Sequence, residues 1–221
     1  LSWSHRIIIE SILPFLVHHP YVFKICNLCI LFVAFIGLKL IFKKYDVNWS
    51  ILIFILTLFP YYAFRSAGIA ATLVNYYYPI CISFFVLGII YNYYRFKPFI
   101  RIILFVVVFL LTIFCTNHEQ LAVCLFSISV FFFHEFKCKK LVSVVLCLSL
   151  LSLIFCLVCP GNYLRLQQSI QSFMPQFSSY SLFQKLYLGV SSGLYTLTFT
   201  DCLPFTLCLT SLVFAKFRKF S

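Results

Sequence analysis

"RIILFVVVFLLTIFCTNHEQLAVCLFSISVFFF", residues 101–133, sets two apolar runs on either side of a short polar island, Asn117-His118-Glu119-Gln120. Neither run alternates polar and apolar residues, so neither reads as a strand of a membrane barrel. Continuous apolar runs of this length read as helices, the form that satisfies its own backbone where no water is present. The island then becomes the tip of a helical hairpin. Thr116-x-x-Glu119 and Asn117-x-x-Gln120 both have the spacing of a capping box that opens the second helix. A hairpin this short barely crosses the hydrocarbon core, so its tip belongs in or just below the headgroup zone. Glu119 there is half dry, and ionisable groups at membrane depth are costly and often functional. The cap and the reaction centre are compatible readings of the same four residues.

The remainder of the chain points to the same solvent. Of its 221 residues 63% are hydrophobic, 20% aromatic and only 10% charged, with a mean hydropathy of +1.03. Soluble domains sit near half apolar and about a quarter charged. The net charge of +12 does not mark a nucleic-acid binder. The cations fall in clusters between apolar runs, at Lys43–Lys44, Arg95–Lys97–Arg101, Lys137–Lys139–Lys140 and Lys216–Arg218–Lys219. That is the positive-inside pattern of a polytopic membrane protein, with no basic stripe on a soluble face. Most of the 11 cysteines lie within apolar runs, where Cys packs as a small hydrophobe. Cys26-x-x-Cys29 and Cys156-x-x-Cys159 have zinc-pair spacing on paper, but packing is the simpler account. The chain begins at Leu1 without a signal-peptide pattern, and is expected to be a fragment of a longer protein.

The fold expected is all-α, a polytopic integral membrane helix bundle in one transmembrane domain over 1–221. Seven apolar runs approach the length needed for about 30 Å of hydrocarbon at about 1.5 Å per residue. They lie at 20–42, 48–64, 78–94, 101–117, 119–136, 141–159 and 195–215. With residues 1–19 outside, every inner connection is basic, and Arg6, Lys24, Arg65, Arg165 and Lys185 are the cations left outside. Residues 1–19 read as an interfacial outer helix anchored by Trp3, and 160–194 as an outer loop with a surface helix. The expected location is a bacterial plasma membrane, multi-pass, with the lipid bilayer as first partner.

The outer segments gather the polar chemistry. "RSAGIAATLVNYYYP", 65–79, has small residues for close backbone approach, then Asn75, Tyr76–Tyr78 and Pro79. It reads either as an aromatic belt with a helix-start proline or as a pocket floor in which Arg65 meets a phosphate and tyrosines stack on a sugar. "CPGNYLR", 159–165, stops a helix with a Pro-Gly turn and supplies Asn162 and Arg165. Arg suits a phosphate held by paired hydrogen bonds, and equally anchors a headgroup. "SWSHR", 2–6, supplies Arg6, with Glu10 one turn on as an i,i+4 partner. His18–His19 read as an interfacial bend. Asp201, about 9 Å into the last run and followed by Pro204, is a secondary candidate.

"SWSHRIIIE", "SAGIAATLVNYYYP", "NHEQ" and "CPGNYLR", in that order, resemble a family of bacterial polytopic proteins of unknown function found with cell-surface polysaccharide genes. That family is similar to membrane glycosyltransferases of the GT-C architecture, which use polyprenyl-phosphate sugars. The resemblance covers most of residues 1–185 and implies inverting transfer from such a donor to a glycan acceptor. It implies a catalytic base that either lies upstream of Leu1 or is Glu119 or Glu10, since the acidic pair usual after the first span is missing here. It further implies Arg6, Arg65 and Arg165 on the departing phosphate, Asn75, Asn162 and His118 toward the substrate, and Tyr76 and Tyr78 in a stacking wall. A divalent metal beside Glu119 is left open. Two rivals stand beside this reading: a transporter or flippase for a lipid-linked glycan, and a non-catalytic membrane subunit. A transporter favours mid-membrane charge and repeated halves; the span centres here are nearly bare of charge.

Overall fold

A computed structural model describes residues 6–43, 47–57, 69–131, 133–134 and 137–195. All regular structure among them is helical. The helices are α1 (Ile7–His18), α2 (Pro20–Phe42), α3 (Trp49–Thr57), α4 (Ile69–Thr72), α5 (Tyr78–Asn92), α6 (Pro98–Thr116), α7 (Glu119–Phe131), α8 (Lys139–Val158), α9 (Pro160–Phe173) and α10 (Leu182–Tyr195). The chain divides into two compact units, Leu1–Leu164 and Arg165–Ser221.

Four stretches are long and apolar enough to cross a membrane: α2, the rod Ile69–Arg95 that contains α4 and α5, α6, and α8. This is a membrane protein by the length and composition of its helices. Four of the seven predicted spans therefore have a helix of spanning length. The second, 48–64, is described only as the 9 residues of α3, and the last, 195–215, lies outside the described residues but for Tyr195. The fifth is a 13-residue helix, α7, about 20 Å long at helical rise. The rod begins nine residues before the predicted 78, because the small, polar-flecked stretch 69–77 coils rather than turning out to solvent.

The direction of each helix follows from its contacts. On α2 and α5, Asn27 Oδ1 accepts from Tyr78 Oη at 2.6 Å, and the Leu40 carbonyl accepts from Asn92 Nδ2 at 2.8 Å. Early meets early and late meets late, so α2 and α5 run parallel. Cys115 Sγ meets the Pro79 carbonyl at 3.3 Å, and Tyr93 Oη donates to the Arg101 carbonyl at 3.0 Å. Hence α6 runs antiparallel to α5. Ser152 Oγ of α8 donates to the Thr116 carbonyl at the end of α6, and Cys138, just before α8, reaches the Ile90 carbonyl. So α8 runs parallel to α6. The chain between Thr116 and Lys139 must return the full length of the bundle, and α7 supplies part of that return.

The α2–α5 contact is the tightest. A Cβ on Gly37 would lie 2.5 Å from the Phe85 backbone nitrogen, and one on Gly88 would lie 2.8 Å from the Gly37 carbonyl oxygen. Two glycines thus let two backbones touch, the way helices associate where lipid removes the hydrophobic drive. One core, Val86, Ile89, Val108, Leu125, Leu141 and Val145, joins α5 to α6, α7 and α8. Another joins Ile9 and Leu16 of α1 to Ala34, Val74, Tyr77 and Cys81. Helix α1 has 12 residues and buries one face in the bundle; His19 makes the break before α2, whose first residue is Pro20. The outward faces stay apolar, as at Leu157 (86% exposed) and Leu28 (70%), which suits lipid contact.

One end of this unit is basic. Lys39, Lys43, Arg95, Lys97, Arg101, Lys137, Lys139 and Lys140 all sit where α2 and α5 end and where α6 and α8 begin. The opposite end holds α1, the start of α5, the α6–α7 turn and the end of α8.

In the second unit, α10 opens with a capping box that does form. Ser181 Oγ accepts from the Gln184 amide at 3.3 Å, and Gln184 Oε1 accepts from the Ser181 amide at 2.8 Å. Tyr180, Phe183, Gln184, Tyr187 and Leu188 line a shallow hollow of about 330 Å³ beside it.

Candidate functional site

At the end opposite the lysines, the polar island meets the start of the chain. Helix α6 ends at Thr116, and α7 starts at Glu119 with the Ala122 amide bonded to the His118 carbonyl at 2.9 Å. His118 is thus the residue before the helix. Thr116 and Asn117, read as capping-box residues, have other partners. Thr116 Oγ1 donates to the Ile113 carbonyl at 3.3 Å, and Asn117 Oδ1 accepts the Ile9 amide of α1 at 3.3 Å. Ile9 is a first-turn residue of α1, whose amides lack intrahelical acceptors. Asn117 therefore ties two helices across 108 residues.

Arg6 lies just before α1 and reaches the same turn. Its Nε donates to Glu119 Oε2 at 3.0 Å and its Nη2 donates to Oε1, the two-pronged contact that guanidinium and carboxylate favour. The Arg6 side chain is 12% exposed and that of Glu119 36%. Burial pulls the Arg6 pKa down, but hydrogen bonding and charge from Glu119, with a lesser contribution from Tyr76, hold it above its ordinary value. Arg6 is a permanent cation here. Its guanidinium lies 5.7 Å from the Tyr76 ring centroid, and the Tyr76 ring meets His118 edge-on at 4.8 Å. Arg6, Tyr76, His118 and Glu119 form one cluster, with Asn117 behind it.

Tyr76 reaches the cluster through a local change of helix. Pro79 has no amide hydrogen, and its ring would clash with the carbonyl of residue 75 in a regular α-helix. Between α4 and α5 the backbone widens to a π-helical turn, Leu73–Tyr77, in which the Tyr78 amide bonds the Leu73 carbonyl five residues back. Such turns often occur at functional sites. Asn75 Nδ2 bonds the Ala71 carbonyl at 2.8 Å, within the same rod.

The other candidates divide. Asn162 Nδ2 bonds the Cys156 carbonyl at 2.9 Å, near the end of α8 and so at the same end of the unit as the cluster. Tyr78 does not face it: its ring is 5% exposed, and its hydroxyl is committed to Asn27 between α2 and α5. Of the three tyrosines Tyr76 keeps an open face, at 38% exposed. Glu10 is exposed on α1, and its amide bonds the Arg6 carbonyl at 2.9 Å. Arg165 lies on α9, in the second compact unit. Arg65 and Asp201 lie outside the described residues. Among the described residues no three His, Cys, Asp or Glu side chains come together as a metal would need.

Sequence reasoning passed over Asn117 as a tie to α1 and Asn27 as the partner of Tyr78. An Asn within an apolar run is a signal for both, since its amide needs partners that lipid does not supply. The cluster can hold an anion on Arg6 if Glu119 yields, accept a proton on Glu119, and stack a flat ring on Tyr76. Comparison with protein families, with curated proteins and with solved structures finds no match to this chain.

Proposed function

We propose that this chain is part of a GT-C-like membrane glycosyltransferase that moves a sugar from a polyprenyl-phosphate donor to a cell-surface glycan. The reaction would run on the outer face of a bacterial plasma membrane. The observation that carries the reading is the Arg6–Glu119 pair beside the Tyr76 ring, at the bundle end away from the lysines. The positive-inside rule puts that end outside.

In this scheme the donor phosphate displaces Glu119 from Arg6. The freed carboxylate takes the acceptor hydroxyl proton as that oxygen attacks the anomeric carbon. The bond from the anomeric carbon to the phosphate oxygen breaks, its electron pair stays on the phosphate, and Arg6 stabilises the growing charge. Tyr76 stacks on the sugar, and Asn162 and His118 border it. Arg65, Arg165, Asn75, Tyr78 and Glu10 are supporting candidates, Asp201 a secondary one, and a divalent metal beside Glu119 stays within the scheme.

The test is glycan analysis of cells carrying Glu119→Gln in the full-length protein. Loss of the modification, with the protein still folded in the membrane, is the expected result; intact modification refutes the role of Glu119. A second reading, a non-catalytic subunit, is favoured by the two-pronged pairing itself, which clamps α1 onto the α6–α7 turn. Under it, Glu119→Gln lowers stability and leaves glycan transfer to another chain.

A further inference from the structure

The two ends of the unit differ in charge, and a groove leads away from the basic one. Helix α3 runs back along α2, with Trp49 against Phe35 at 5.2 Å between ring centroids. Between them Leu28, Leu31, Phe32, Phe35, Ile53 and Leu56 line an apolar groove of about 750 Å³. Trp49 is shared with a second hollow of about 390 Å³ nearer the basic end, whose polar groups include Lys39 and Lys43. The Lys39 ammonium stands 3.5 Å from the centroid of the Trp49 ring, an aromatic and cation pair of the kind found at headgroup level.

We propose that this groove is a binding site for one anionic phospholipid. The headgroup phosphate lies on Lys39 and Lys43, Trp49 marks the glycerol level, and an acyl chain runs along α2 toward Leu28. Charge complementarity selects the ligand: two cations in the hollow that shares Trp49 with a largely apolar groove match an anionic head on a hydrocarbon tail. Length agrees. From Leu28 to Lys39 the helix rises about 16 Å, about half the hydrocarbon core and so the depth of one leaflet. Lys39, on the last turn of α2, puts the head in the leaflet on the basic side. Asp46, the acid nearest in sequence, lies outside the described residues. The site is separate from the Arg6–Glu119 cluster, and the proposal does not rest on the function assigned to that cluster.

Native mass spectrometry of the full-length protein, exchanged into phosphatidylglycerol or phosphatidylcholine micelles, reads the site directly. The expected result is one retained phosphatidylglycerol and no comparable phosphatidylcholine. Lys39→Gln and Lys43→Gln are each expected to weaken retention about fivefold, with the unfolding midpoint measured alongside to show that the fold is kept. Equal retention of both lipids, or undiminished phosphatidylglycerol in the double variant, overturns it. A benzophenone amino acid at Ile53 provides a second readout: crosslinking to lipid supports the site, and crosslinking to a protein segment shows a helix there instead and overturns it.

Discussion

Arg6 and Glu119 stand 113 residues apart and share two hydrogen bonds, while the sequence offers Glu10 as the local partner. Spacing along one helix is legible from sequence; a contact between a chain start and a distant turn depends on where α1 docks. The pair is partly exposed, so its stabilisation is on the order of 1 kcal/mol. Arg6→Lys keeps the charge but loses the planar fork. It should lower the unfolding free energy by about that much in reconstituted protein, and an unchanged denaturant midpoint would show that the clamp carries no stability. Tyr76→Ala removes both the ring and the hydroxyl that reach Arg6 and should cost about 1 kcal/mol, with Tyr76→Phe, which loses the hydroxyl alone, costing about half of that. If Phe costs as much as Ala, the hydroxyl and not the ring is the contact that counts. Glu119 and Arg6 were each legible as unusual residues at a membrane surface; their partnership was not.

At the scale of elements, two small features set the geometry: the Gly37–Gly88 contact and the π-helical turn before Pro79. A methyl group at Gly37 would meet Phe85 backbone rather than a side chain that could swing away. Gly37→Ala should therefore destabilise by about 1–3 kcal/mol, read as a lower unfolding midpoint; a neutral result would mean that α2 and α5 separate freely. Of the small residues in 65–71 that the sequence marks for close approach, 65–68 lie outside the described residues; the contact found here comes from a lone glycine in each of two apolar runs. Pro79→Ala restores an amide donor and should let 73–77 return to α-helical register, turning Tyr76 by about 100°. Crosslinking of Tyr76→Cys to His118→Cys, side chains that now stand ring to ring, should fall sharply in that background. Equal crosslinking with and without Pro79 would show that packing, not the proline, holds the turn.

Over the whole molecule, the end-to-end charge difference predicts sidedness. In a cysteine-free background, an impermeant thiol reagent on intact cells should label Tyr163→Cys and spare Lys137→Cys, both exposed positions. The reverse pattern would turn the cluster inward and remove the outer-face proposal. Composition by itself determined that the chain is helical and membrane-embedded, because continuous apolar runs leave the backbone no acceptor but its own. It also separated basic connections from the polar island at Asn117–Gln120. Only the tertiary structure decided that α2 and α5 run parallel, that α7 is too short to cross as a helix, and that Arg6, Tyr76, His118 and Glu119 share one site. Hydropathy is summed along the chain and is blind to rotation about a helix axis. Which residues meet is set by that rotation, through two glycines, one proline and a few buried amides whose partners lie on other helices.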